Sequence, residues 1–133
     1  MVVDAEALLS KHQVAERVRI AEGSFFDAVP DGGGLYVPKN IIHDWPDDKA
    51  LEILKTLGGA TRKGATVLLV ESVIPPHDRE FPTKWLDLEM LVVNAGRERT
   101  AAEYQKLLQN TGFRMARVIP TASPFSLVEA RAA

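Results

Sequence analysis

The run Thr66-Val-Leu-Leu-Val70 limits the fold more than any other stretch of this 133-residue chain. It is β-branched or apolar throughout, bounded by Gly64 and closed by Glu71. The alternation that marks a strand with one wet face is absent. Such a strand needs cover on both faces, which is the pattern of a parallel sheet flanked by helices. The neighbouring segments agree. Strand-like runs are expected at 2–3, 17–21, 35–37, 114–119 and 126–130. Helical stretches are expected at 5–11, from Asp47 onward with Asp47 or its neighbour as cap, and at 84–93. Thr100-Ala-Ala-Glu103 is a capping box opening a further helix, with Tyr104, Leu107 and Leu108 facing inward. The order β-α-β, β-α-β, α-α, β-β predicts one three-layer α/β domain over residues 1–133.

Composition narrows the function classes. Sixteen Lys and Arg against eighteen Asp and Glu leave a net charge of −2, a poor match to a phosphate-backbone binder. No apolar run is long enough to span a bilayer, and the N-terminus has no cationic leader pattern, so no membrane partner and a cytoplasmic location are expected. With no cysteine there is no disulfide, thiol nucleophile or thiolate metal site. His12, His43 and His77 are too widely spaced for a local metal site, and none is expected.

Of the three, His43 carries the most chemical interest. It stands just past the carboxyl end of a buried strand, in Lys39-Asn-Ile-Ile-His-Asp-Trp45, where open α/β sheets bind ligands. An imidazole titrates near neutrality and can take a proton from a bound hydroxyl. A histidine that merely hydrogen-bonds a loop carbonyl fits the same position. Carboxylates recur at the other strand ends: Asp4 after Val2-Val3, Asp27 after Ser24-Phe-Phe, Glu71 after Val70. Each alone reads equally as a helix cap or a solvated acid. Together with His43 they put four polar positions along one sheet edge. Arg97-Glu-Arg99 is compatible with a solvated charged turn and with an inward Glu98 directed at His43. Met90 and Asn94 share a helix face, compatible with core packing or a substrate wall.

Taken in order, the blocks Gly23-Ser-Phe-Phe-Asp27, Leu35-Tyr-Val-Pro-Lys-Asn-Ile-Ile-His-Asp-Trp45, Leu68-Leu-Val-Glu71, Leu86-Asp-Leu-Glu-Met-Leu91, Gly96-Arg-Glu-Arg-Thr100 and Thr121-Ala-Ser-Pro124 cover nearly the whole chain. In these the sequence resembles the C-terminal catalytic region of class I S-adenosylmethionine-dependent O-methyltransferases, of the plant caffeate/flavonoid and bacterial polyketide-tailoring type. The resemblance implies a Rossmann-like, mostly parallel sheet with a C-terminal antiparallel strand. It implies methyl transfer from S-adenosyl-L-methionine to a hydroxyl of a small aromatic or polyketide-like acceptor. Asp4 would hold the cofactor ribose, Phe26 and Asp27 would frame its adenine, and Lys39 would line its site. His43 would be the general base, oriented by Glu71 and Glu98, with Asp44, Trp45, Met90 and Asn94 bordering the acceptor.

The sequence also departs from that family. The N-terminal dimerisation helices, the first strand and its glycine-rich turn are not recognisable, and Gly32-Gly33-Gly34 precedes a strand rather than following one. In the family order 3-2-1-4-5-7-6 this leaves strands 2 and 4 facing a gap, to be closed by each other, by a homodimer or complementing chain, or left splayed. An inactive remnant or partner-binding module retaining part of the fold, or a relative using the cofactor for another reaction, is the competing expectation. Pro38 is a second departure, since it removes a ladder donor from a strand.

Overall fold

In the computed structural model, residues 5–75, 82–94 and 96–133 are described. Helix α1 spans Ala5–Lys11, strand β1 Leu35–Tyr36 and helix α2 Asp47–Ala60. Strand β2 covers Thr66–Glu71, β3 Val73–Ile74, and helix α3 Pro82–Asn94. Strand β4 is Arg99–Thr100, helix α4 Ala101–Gln109, and strands β5 and β6 are Phe113–Pro120 and Ser126–Ala132. The expected strand at 2–3 lies outside the described residues.

The main sheet has the order β1-β2-β6-β5. Strand β1 runs parallel to β2, while β6 is antiparallel to both β2 and β5. This is the 4-5-7-6 half of the expected order. A second, parallel pair joins β3 to β4, matching Val73 with Arg99 and Ile74 with Thr100. That pair carries no sequence pattern of its own.

The core lies on one face of the sheet. Ala50, Ile53, Leu54 and Leu57 of α2 and Tyr104, Leu107 and Leu108 of α4 pack against Val67, Leu69, Val128 and Ala130. The stripes follow helical spacing and the strand residues follow the two-residue period. Thr100 and Glu103 form the expected capping box, each side chain bonded to the other's backbone N–H.

Three local expectations are corrected or narrowed. Residues 17–21 form no strand: a 3-10 turn, Ala15–Arg17, is followed by irregular backbone. A strand exists only with a hydrogen-bonded neighbour, and among the described residues β1 ends the sheet, leaving Leu35 and Val37 more than half exposed. Cover on both faces of β2 is also only half met. Val67, Leu69 and Glu71 are buried, whereas Thr66, Leu68 and Val70 are intermediate. Finally, of Asp47 and its neighbour, it is the neighbour Pro46 that holds the N-cap position of α2, without a side-chain bond, and the Asp47 carboxylate is engaged by Arg99 instead.

Pro38 explains why β1 is so short. Pairing with β2 lapses after Tyr36 and resumes beyond the proline, where Val70 donates to the Pro38 carbonyl and Asn40 donates to the Val70 carbonyl. The chain therefore leaves the sheet edge still registered against the end of β2.

The uneven cover of β2 makes a prediction. Leu69→Ala should cost about 2–5 kcal/mol, whereas Leu68→Ala, on the half-open face, should cost less than half as much. Urea denaturation of the two variants checks this, and equal losses would contradict a one-sided core.

Candidate active site

Four side chains converge where β1 and β2 end. His43 lies in a 3-10 turn, Ile42–Asp44, that follows the resumed pairing at Asn40. Asn40 adopts φ 53°, in the left-handed region, which asparagine tolerates better than most residues. The kink turns the next two amides inward. Ile41 and Ile42 both donate to Glu71 Oε1, at 3.1 and 2.8 Å. Successive N–H groups of this kind make a small anion-binding nest. The carboxylate of β2 thus holds the turn that carries the imidazole.

His43 Nδ1 lies 3.4 Å from Glu71 Oε2 and 3.2 Å from Glu98 Oε1, while Nε2 lies 3.3 Å from Asp44 Oδ1. Glu71 and Glu98 are buried and His43 is nearly so. His43 Nδ1, Glu71 Oε2 and Glu98 Oε2 are buried with no hydrogen bond among the described residues. Nδ1 and the Glu71 oxygen thus face each other at ion-pair distance without hydrogen-bond geometry, and buried titratable groups clustered in this way are often functional. The Glu98 carboxylate, aided by Glu71 and Asp44, raises the His43 pKa above its usual 6.5 against the opposing effect of burial. Burial raises Glu71 to about 7, opposed by the Ile42 amide, His43 and the Ile41 amide.

Glu98 is placed by close backbone contact. Its amide donates to Asp87 Oδ1 of α3 at 2.7 Å, and the Arg97 amide donates to the His43 carbonyl at 2.9 Å. Gly96 leaves no room for a side chain, since a Cβ there would sit 2.2 Å from the His43 carbonyl oxygen. Gly96 N–H also donates to the Met90 carbonyl, tying α3 to the same loop. The inward orientation of Glu98 is the one the chain adopts.

Asp44 and Trp45 flank the imidazole along the chain. The Phe26 ring meets the Trp45 ring edge-on, with centroids 4.8 Å apart, and lies tilted against the Phe25 ring at 5.1 Å. Phe25, Val29, Tyr36, Val37, Pro38 and Ile41 line an apolar cavity of about 260 Å³ beside β1. Between Pro38 and Ile41, the Asn40 Oδ1 is buried without a partner among the described residues. An apolar slot of this size beside aromatic rings suits a flat ring system. Asp27 is exposed near these rings in sequence. Lys39 is not directed at the carboxylates; its ammonium lies 5.6 Å from the Phe125 ring centroid. Met90 is half-buried on α3 and Asn94 ends that helix. Asp4 lies outside the described residues.

Sequence reasoning passed over Asp87, the Ile41–Ile42 nest, Gly96 and Arg99. A glycine immediately before a charged triplet and a capping box was the available signal for a tight approach at 96.

Because Glu71 holds its proton more tightly when folded than as a free side chain, the native state binds extra protons, and its contribution to stability is lost as pH rises through about 7. The raised His43 acts with the same sign. Glu71→Gln keeps an acceptor for the two amides and removes the titration. Moving from about pH 5.5 to about pH 8, the wild type should lose on the order of 2 kcal/mol more stability than the variant in denaturant titrations. Parallel losses would remove Glu71 as the cause.

Comparisons with known proteins identify the family and the fold. A family model, O-methyltransferase domain, matches residues 1–114. Phenazine O-methyltransferase of Lysobacter antibioticus is 42% identical over 123 residues, covering 92% of this chain and 36% of the relative. O-demethylpuromycin-O-methyltransferase of Streptomyces alboniger is 45% identical over 132 residues, covering 96% of this chain and 35% of the relative. The solved structure of an O-methyltransferase from neocarzinostatin biosynthesis, in complex with S-adenosylmethionine and 2-hydroxy-5-methyl naphthoic acid, superposes with a TM-score of 0.88 at 32% identity. It covers 99% of this chain and 38% of that one. The chain thus spans somewhat over a third of the length of these proteins.

Proposed function

The chain belongs to the O-methyltransferase domain family, and we propose that it carries the catalytic half of a methyl transfer to a hydroxyl on a small aromatic or polyketide-like acceptor, with His43 as general base. The observation that carries this reading is the imidazole held against two buried carboxylates on its Nδ1 side. That arrangement leaves Nε2, on the side of the half-exposed Asp44, to accept a proton.

A phenol has a pKa near 10, so near neutrality a positioned base removes a real barrier. The Glu98 and Glu71 carboxylates stabilise the imidazolium that results, which is the sense of the raised His43 pKa. S-adenosylmethionine, when bound, would supply an electrophilic methyl group. The slot beside β1, Phe26 and Asp27 suit its adenine, and Asp4 and Lys39 are proposed to line the rest of its site. Asp44, Trp45, Met90 and Asn94 would border the acceptor and hold its hydroxyl toward His43. Orientation of this kind supplies a large share of the rate in two-substrate transfers.

Titration calorimetry with S-adenosylmethionine and transfer of a labelled methyl to a panel of phenolic acceptors test the reading. Weak binding, in the millimolar range, is expected of this chain, with transfer read in a form completed by the first strand and glycine-rich turn of the family. His43→Ala should lower kcat by about 100-fold or more with little change in cofactor affinity. Absence of binding, or full turnover in the alanine variant, would overturn it.

A further inference from the structure

Arg99 has no exposed surface. Its guanidinium carries five N–H groups, and five hydrogen bonds account for them. Nε and Nη2 both reach Asp47 Oδ1, at 3.0 and 2.8 Å. Nη2 also donates to the Trp45 carbonyl at 2.8 Å. Nη1 donates to the carbonyls of Ile42 at 2.9 Å and Arg97 at 3.2 Å. The accepting groups are not scattered. Ile42 and Trp45 bracket the turn that carries His43, Arg97 immediately precedes Glu98, and Asp47 is the first residue of α2. Arg99 itself belongs to β4, paired with Val73 just beyond Glu71. One side chain therefore ties the turn that bears the imidazole to the segment that bears Glu98 and to the start of α2, while its own backbone pairs beside the end of the strand that bears Glu71.

From this we infer that Arg99 is a positioning residue for His43, setting the separation between its Nδ1 and the Glu98 carboxylate. The inference rests on the reading of His43 as the base. Buried arginines also serve simply to hold a fold together, so the distinguishing consequence is electrical. Among the described residues, Glu98 from the loop, Glu71 from β2 and Asp44 from the turn itself are the charged groups facing the imidazole, with Asp87 of α3 holding the Glu98 amide. Loosening the clamp moves Glu98 relative to His43 and weakens the strongest of these influences. A lysine keeps the charge but is a point donor on a flexible stem and cannot span these four acceptors.

The test follows the His43 ring resonances by NMR across pH in the full chain, alongside methyl-transfer kinetics. Arg99→Lys should move the His43 midpoint downward by about half a unit or more, toward the ordinary imidazole value. It should lower kcat by about tenfold while KM for the methyl donor stays within about threefold. Asp47→Asn is the milder second variant, because Asp47 is about half exposed, at 54%. It should shift the midpoint the same way by a smaller amount, and this holds the test open if Arg99→Lys does not fold. A lowered melting temperature with an unmoved His43 midpoint in a folded variant would reduce Arg99 to a fold-holding role and overturn the inference. A shifted midpoint in a chain whose wild type transfers no methyl group would uphold the positioning role while rejecting the proposed function.

Discussion

A carboxylate without exposed surface is the point on which this structure turns. Glu71 ends the central strand facing the core side, where an isolated anion would be expensive to bury. The chain meets that demand with two backbone amides on one oxygen and an imidazole beside the other. It meets the remainder by holding the proton until about pH 7. Each of these responses places something. The amides set the path of the chain after β1, and that path sets the imidazole. The retained proton makes the group a neighbour whose charge varies over the range in which a base has to work.

Much of the fold was legible because its signals are local. Helix α4 is announced by a capping box whose two bonds form as the spacing implies, and α2 by an apolar stripe that the structure buries. The apolar run at 66–70 is the central strand. What was not legible depends on partners distant in sequence. Residues 17–21 have strand composition but no neighbour to pair with among the described residues, and composition cannot report that. The Asp47 carboxylate looks like a cap, yet a buried arginine 52 residues away competes for it and wins with two charge-assisted bonds. The β3–β4 pair is two residues long on each side, too short to show any period.

The candidate site divides along the same line. His43 and Glu71 could be placed at strand ends from the order of elements alone, whereas Asp44 entered only through the family resemblance. Glu98 could not, because a charged triplet before a helix reads equally as solvated or inward. What decides it is the Asp87 carboxylate waiting for its amide and a glycine that lets two backbones touch. Lys39 shows the opposite failure. Its backbone continues the sheet as expected, at the Val70 bridge, but its long side chain swings to an aromatic ring on the far side of β2's end. Position along a strand constrains a short carboxylate far more tightly than a four-carbon ammonium.

The contact at Gly96 has a mechanical meaning. Main chain presses on main chain there, with a hydrogen bond from the adjoining Arg97 amide to the same His43 carbonyl. Side chains elsewhere can change rotamer to absorb a displacement, whereas here the touching atoms are both backbone. Helix α3, tied to Gly96 through the Met90 carbonyl, is thereby coupled through main chain alone to the turn that carries His43.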